Sequence, residues 1–407
     1  MRRELPAQAP LPERVRNEIA DEFEARADNP LTHNLREWAL ERWGVDIAGR
    51  YAGRKIRVPF GKASGQLSMT PQQVEADAQA GLGFVVLKTV IAQDNSGERG
   101  MAAWAIHETH MHVERIEDED GTSGWTVTWR GRGWDKPFSS YLRLLRAAVP
   151  IGAEHDMPVA ASVKYHLPGS GDEPFRESEY RYTTQALAAA WRDAAGKGAP
   201  IIEKDFSPTL AGDVRADERD NVLRWLREVP RLVGNAGAGP IDLGMKVMNA
   251  RFDDPFQSEM LAALEDAPQV RFRVAFNRLF DEERGVAYGG PALARRNLQA
   301  LDTFIMRHGG PPPALSGTGD IHSGRRMIEY ALRGAESGQI HTFFQLPRSL
   351  YRSGCASRTA AALHELVLHP HHGLVAWLIA LGEMGWIERR DGVLHFLDVS
   401  SQVPSER

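Results

Sequence analysis

The chain has 407 residues, 42% hydrophobic and 25% charged, with 38 Gly and 24 Pro. This composition excludes disordered, collagen-like and coiled-coil readings and allows two to three domains or one large barrel with insertions. Its 49 basic and 54 acidic residues leave a net charge of −5 and a pI near 6.3, which argues against nucleic acid or an anionic membrane as the main partner. The single cysteine, Cys355, excludes an internal disulfide and any four-cysteine metal site made by one chain, and the sequence carries neither an apolar leader nor a long apolar run. The expectation is a cytoplasmic protein with no membrane association and small molecules as ligands.

Residues 1–55 read as a helical N-terminal extension: Val15, Ile19 and Phe23 fall four apart, Asn29-Pro30 interrupts, and Leu35, Trp38, Ala39 and Trp43 resume the period. From Ile56 onward, short apolar runs alternate with turn residues and helical segments, the signature of βα units around a parallel sheet. The first unit is IRVPFGKASG followed by a helix whose opening carries Thr70, Pro71 and Gln73, a capping box. The second strand is FVVLKTV, and the excursion over 91–137, with its alternating WTVTW, reads as a β-hairpin flap. Six further strands follow in PVAASVKYHL, PIIEKDFSP, IDLGMKVMNA, VRFRVAFNRLF, ALSGTGDI and QIHTFFQL, each preceded by a helical segment. Eight alternations predict a (β/α)8 TIM barrel over 56–346, with a doubly wound open sheet as the alternative. Residues 347–407 read as a helical C-terminal cap of two apolar helices and a short strand pair, and as a candidate homodimer contact.

Barrel active sites lie at the C-terminal ends of the strands. There the sequence places Ala63-Ser64-Gly65, Lys88-Thr89, Asp205-Phe206-Ser207, Lys246 with Asn249, and Asn277. A lysine closing an apolar strand is costly unless its ammonium meets an anion or a polar ligand edge, so Lys88 and Lys246 point to an anionic or electron-rich ligand over the mouth. Ion pairs with loop carboxylates would explain them equally well. Ser316-Gly317-Thr318-Gly319-Asp320 and the strand-eight residues Gln339 and Thr342 supply a glycine turn, and Ser323-Gly324 opens a helix, where barrels commonly hold a phosphate.

FGKASG, AGLGFVVLKTV, GMKVMNA, VAFN and LSGTGDIHSGRRMIEYALRGAESGQIHTFF, in this order and spacing, resemble the dihydroorotate dehydrogenase family, including the pyrimidine-reducing domain of dihydropyrimidine dehydrogenase. The resemblance covers residues 56 to about 345 and is specific at both ends of the barrel. It implies one FMN, with Ala63, Ser64, Gly65, Lys88, Thr89, Lys246 and Asn277 around the flavin and Gly317, Gly319, Gln339 and Thr342 near its phosphate. Asn277 and Asn249 are candidate substrate contacts. A lysine near flavin N1 and the C2 carbonyl would stabilise the anionic reduced ring.

The departures are as informative. Where the family has Asn-x-Ser-Cys-Pro-Asn after strand four, this chain has Asp205-Phe206-Ser207-Pro208-Thr209-Leu210, so the cysteine and both asparagines are gone and orotate is disfavoured as substrate. Ser207 is the first candidate proton donor, with Asp205 assisting or acting itself, and Thr209 the third; an ion pair of Asp205 with Lys246 or Lys204 is the plain structural explanation. Asp320 beside a phosphate would repel it unless paired with His322 or Arg325. His107, His110 and His112, with Glu108 or Glu114, have a spacing compatible with a metal, but closure of a flap over substrate ranks above that, and no metal is expected. His364, His369, His371 and His372 read as a helix end with surface histidines, and Trp125, Trp129 and Trp134 as half-buried hairpin aromatics rather than a stacking platform.

Together these readings predict an FMN-dependent oxidoreductase exchanging a hydride between flavin N5 and a C–C bond conjugated to a carbonyl or amide of a small cyclic substrate. Any nicotinamide would bind transiently, because no dinucleotide fingerprint follows a strand, and a separate electron-transfer partner is open. The alternatives are a flavin-free lyase or isomerase with a Schiff-base lysine at Lys88 or Lys246, and a non-catalytic FMN-binding relative.

Overall fold

The computed structural model describes residues 4–107, 112–128, 133–195, 198–206, 218–250, 252–281, 286–355 and 357–401. Eight parallel strands close on themselves: β1 (Phe60–Lys62), β2 (Phe84–Val86), β3 (Val159–Lys164), β4 (Ile201–Asp205), β5 (Asp242–Lys246), β6 (Val270–Ala275), β7 (Leu315–Thr318) and β8 (Ala335–Ile340). Each pairs with its sequence neighbour, and β8 returns to β1 through Gln339 opposite Gly61, so the (β/α)8 barrel is the fold. The helices that follow the strands are α1 (Pro71–Gln79), α2 (Phe138–Glu154), α3 (Glu177–Ala195), α4 (Arg219–Gly234), α5 (Asp254–Ala262), α6 (Pro291–His308), α7 (Gly324–Ala331) and α8 (Arg358–Leu368). The capping box that opens α1 forms as expected: Gln73 N donates to Thr70 Oγ1 at 3.2 Å, and Thr70 N donates to Gln73 Oε1 at 3.1 Å. The α8 helix, from the segment expected as a cap, lies against α1 in the helical ring, where Thr359 shares Asp77 with the buried Lys62.

Side chains alternate between the inside of the barrel and the helices. Two glycines, Gly61 and Gly244, leave room inside for the rings of Phe84 and Phe272: a Cβ on either would fall within 2.4 Å of the ring it faces. The floor is completed by Tyr51, stacked on Phe84 at 3.8 Å and edge-on to Phe272 at 4.9 Å. Tyr51 comes from a hairpin, Gly49–Tyr51 paired with Arg54–Ile56, whose two turn residues Ala52 and Gly53 have φ of 51° and 75°, the sign a type I′ turn requires. The N-terminal extension is therefore helical at Glu13–Ala25 and Leu35–Trp43 but ends in β-structure.

Two other boundaries differ from the sequence reading. Strand eight begins at Ala335, because Gly334 takes φ 92° and ends the helical segment; Ser337 then faces inward to Ser316 while Gly338 packs outward on Ile321 and Met327. That leaves His341 and Thr342 beyond the strand instead of at its core. The expected terminal strand pair shrinks to Leu394–His395, which pairs with Val45–Asp46, and the chain continues as the helix Phe396–Ser401. The insertion after β2 does contain a hairpin, His112–Glu117 with Ser123–Thr128, seated on the start of α6. There Gly124 meets Pro291, Gly290 meets Ile116, and Arg295 pairs with Asp118 and Asp120.

Candidate active site

The inward-facing positions at the C-terminal ends of successive strands are Lys88, Lys164, Asp205, Lys246 and Gln339, each at most 6% exposed. One turn of the alternation deeper lies Glu203, fully buried. Its Oε2 accepts from Gln339 Nε2 at 2.5 Å and from the floor hydroxyl of Tyr51 at 3.2 Å, and its Oε1 faces Lys246 Nζ at 3.9 Å. Burial raises the Glu203 carboxyl above its usual range, and the Lys246 ammonium opposes that rise. Burial and the neighbouring Lys164 together pull Lys88 down to about 8, with Asp205 as the partial counterweight. His341 is held well below the ordinary imidazole value by burial and by Arg278, Lys88 and Lys246, so it is a neutral ring; it lies directly on Gly65, where a Cβ would sit 2.3 Å from it.

Asp205 is the centre of the hydrogen-bonded part of the mouth. Its Oδ2 accepts from Thr89 Oγ1 at 3.0 Å and its Oδ1 from Asn277 Nδ2 at 3.2 Å. Thr89 Oγ1 also lies 2.9 Å from Ser162 Oγ and 3.2 Å from Ser64 Oγ. The structure thus brings Ser64, Thr89, Asp205 and Asn277 into one network, with Lys88 and Lys246 beside it. Ser207 and Thr209 lie outside the described residues, as do His110 and Trp129.

Asn249, expected to meet substrate, has its amide committed elsewhere: Nδ2 donates to Asn277 O at 2.6 Å and Asn297 Oδ1 at 3.0 Å, and Oδ1 accepts from Arg296 Nε at 2.9 Å. Asn297 in turn donates to the carbonyls of Phe276 and Thr318 at 2.9 and 2.7 Å. These bonds tie together the ends of β5, β6 and β7 behind the mouth. Gly317 faces outward under Tyr330, while Gly319 takes φ 115° in the β7 turn. Asp320 pairs with His322 at 3.4 Å and with Arg326 at 3.8 Å; Arg325 instead pairs with Glu329 at 2.9 Å and donates to the carbonyls of Leu5 and Pro6. The first amides of α7 are occupied, Arg325 N by His372 O and Arg326 N by Ser323 Oγ, so an anion here would meet the β7 and β8 turns rather than this helix end. Thr342 stands at the head of the short 3-10 helix Phe343–Gln345, after Ala63 N has bonded Ile340 O at 2.9 Å to join β1 to β8.

Neither families nor curated proteins supply a match to this chain. The case for chemistry therefore rests on the mouth itself. Its polar groups are of both kinds: Lys88 and Lys246 supply positive charge, while Glu203 Oε1 and Gln339 Oε1 are acceptors buried without a hydrogen-bond partner. In the first turn of α7 Arg326 Nε is likewise buried without an acceptor, and in the β7 turn Asp320 Oδ2 is buried without a donor. Lys88 and Lys246 could hold the ring of a flavin mononucleotide, whereas Asp320, 3.4 Å from His322 and 3.8 Å from Arg326, places a carboxylate in the turn where its phosphate would be expected.

Two groups at the mouth went unnoticed in the sequence. Lys164 closes the apolar run VAASVK as Lys88 closes FVVLK, so the same rule would have found it; its ammonium sits 5.4 Å from the Trp104 ring of the insertion. Arg278, adjacent to Asn277, donates to Val127 O of the hairpin at 2.8 Å, and burial lowers it to about 10. His107 bonds Asp135, Trp134 Nε1 donates to Ser140 Oγ at 3.1 Å, and Trp125 is a half-buried hairpin residue. Among the described residues no cluster of three or more His, Cys, Asp or Glu is arranged to hold a metal.

Proposed function

We propose that the protein is an FMN-dependent oxidoreductase acting on a C–C bond conjugated to a carbonyl or amide of a small cyclic substrate other than orotate. The observation that carries this reading is the convergence of Lys88, Lys246 and Gln339 with the hydrogen-bonded carboxylate of Asp205 at one barrel mouth. Bound flavin would supply two-electron hydride exchange at its N5. Lys88 and Lys246 would hold the negative charge that develops on the ring edge, and Glu203 fixes Lys246 from below. Asp205 would hold or take the proton at the substrate carbon next to the one that exchanges hydride. The insertion hairpin, joined to the mouth through Arg278, would exclude water from the reacting atoms. A cytoplasmic setting, a homodimer and a separate electron donor or acceptor belong to the same reading. No helix among the described residues is long and apolar enough to cross a membrane.

The test is the visible spectrum of the purified protein with mass analysis of what heat releases. A yellow protein yielding FMN, with K88M and K246M each retaining less than half as much, supports the reading; a colourless protein that fails to take up added FMN overturns it. In the yellow protein, D205N should keep its flavin and lose turnover with any substrate found. One observation favours a second reading: Lys88, at about 8 with Lys164 beside it, has the character of a Schiff-base nucleophile. Borohydride trapping of a small carbonyl compound on Lys88 in a colourless protein would select the lyase or isomerase; FMN retained without turnover would select a non-catalytic binder.

A further inference from the structure

We propose that Thr89 is the positioning residue of Asp205, orienting its carboxylate through a hydroxyl shared with Ser64 and Ser162, and is not a cofactor contact. The inference rests on the reading of Asp205 as the proton-transferring group. The family resemblance assigns Thr89 to the flavin, but the geometry directs its hydroxyl elsewhere. Three oxygens from three different barrel elements lie within 3.2 Å of Thr89 Oγ1: Ser64 after β1, Ser162 in β3 and Asp205 at the end of β4. A threonine hydroxyl has one proton, and a carboxylate competes for it better than a neutral hydroxyl does, so the proton goes to Asp205 Oδ2. Ser162 and Ser64 then serve as partners for the Thr89 oxygen and as alternative acceptors once Asp205 carries its own proton.

The other side of the carboxylate is clamped by Asn277, itself fixed by Arg278 N to its Oδ1 at 3.0 Å and by its own N–H to Val247 O at 2.8 Å. Two donors on opposite oxygens set the carboxylate plane. The Thr89 backbone is held as well, its carbonyl accepting from Trp134 N at 2.7 Å where the insertion rejoins the barrel. At 7% exposure the Thr89 side chain has little freedom to turn away from these partners.

The hydroxyl-to-carboxylate bond needs the Asp205 acceptor, whereas a packing role for the threonine methyl does not. The experiment uses the full chain and compares wild type, T89V, T89S, D205A and the T89V/D205A double variant by urea unfolding at neutral pH. T89V should lower the folding equilibrium constant about tenfold at pH 7, the size of a hydrogen bond to a charged group. That loss should shrink in the D205A background, which lacks the acceptor, and be recovered in T89S. FMN retained after purification should be the same in T89V as in wild type. If T89V does not fold, T89A carries the same comparison. A loss undiminished in the D205A background or not recovered by T89S overturns the proposal, as does a fall in retained FMN. If no version holds FMN, the oxidoreductase reading fails, while the unfolding cycle still decides the role of Thr89.

Discussion

At the N-terminal end of the barrel the interior is aromatic: Tyr51, Phe84 and Phe272 fill the space opened by Gly61 and Gly244. Towards the C-terminal end of the strands the interior holds Lys88, four residues beyond Phe84, and Lys246, two beyond Gly244, together with Lys164, Glu203 and Asp205, with Arg278 entering from the β6 loop. The floor lowers free energy by burying apolar surface. The mouth does the reverse, since each charge there is desolvated and like charges sit together, as the lowered Lys88 reflects. A fold does not need such a cluster to be stable, so its presence marks the end where ligands are met.

That contrast can be broken at the floor first. Y51A removes a fully buried ring and the hydroxyl on Glu203, which should cost ~3–5 kcal/mol from truncation and ~1 kcal/mol more from the lost hydrogen bond. Urea unfolding should show this loss, while the folded fraction keeps the ligand behaviour of wild type. A similar loss of ligand binding per folded molecule would mean that floor and mouth are not separable.

A buried charge placed outside the barrel gives the next largest effect. Lys62 closes β1 as Lys88 closes the run after β2, yet it points outward to Asp77 and Thr359, with the Phe344 ring 5.1 Å away. K62M should cost ~3–5 kcal/mol because Asp77 is left charged and buried, and K62M/D77L should recover most of it. Neither change should alter the mouth. If K62M abolished ligand binding in a folded protein, the assignment of Lys62 to structure would fall.

This pair of lysines also shows how far the sequence could be read. Alternation, turn residues and the Thr70 capping box made eight βα units visible, because each is a local pattern. Whether a strand-end lysine faces in or out depends on strand parity relative to the closed sheet, which differs by one residue between Lys62 and Lys88 and has no local signature. Lys164 obeys the visible rule but stands before Tyr165-His166-Leu167 and the turn, which hid the strand end. Asn249 looked like a substrate contact because the position is right, but Arg296 and Asn297, distant in sequence, take its amide. Asp320 met Arg326 instead of Arg325 because one step on α7 turns the side chain by about 100° around the helix.

A smaller effect comes from acid. His364 and His369 are each lowered from 6.5 to about 4, chiefly by burial. Instead of lying at the surface, His364 is buried, because its ring stacks on Phe23 of the N-terminal helix at 4.5 Å, and His369 Nδ1 accepts from the N–H groups of His371 and His372 at 3.2 Å. Both are neutral in the folded chain at pH 7 and contribute no pH dependence there. Below pH 6.5 the unfolded chain takes up protons that the folded one refuses, so stability falls as pH drops from 6.5 towards 4, by no more than ~2 kcal/mol for each ring. Urea midpoints measured at pH 7, 6 and 5 should decline in wild type and decline less in H364F. Equal declines would place the acid sensitivity elsewhere.

The smallest effect on stability should come from the mouth itself, and it carries the comparison furthest. K164M removes a buried cation that depresses both Lys88 and Lys204. Relief of that repulsion offsets the lost interactions of Lys164, so unfolding free energy should change by no more than ~1 kcal/mol, in contrast to the loss in K62M. The effect should instead appear in the chemistry of a neighbour. Without Lys164, Lys88 holds its proton more tightly, so its modification by an amine-directed acylating reagent at pH 8, followed by peptide mass mapping, should slow severalfold. A slower Lys88 in an equally stable protein is the result expected of charges gathered for a ligand. A large drop in stability with unchanged Lys88 reactivity would instead make Lys164 a structural residue like Lys62, and the mouth would then share the logic of the rest of the barrel.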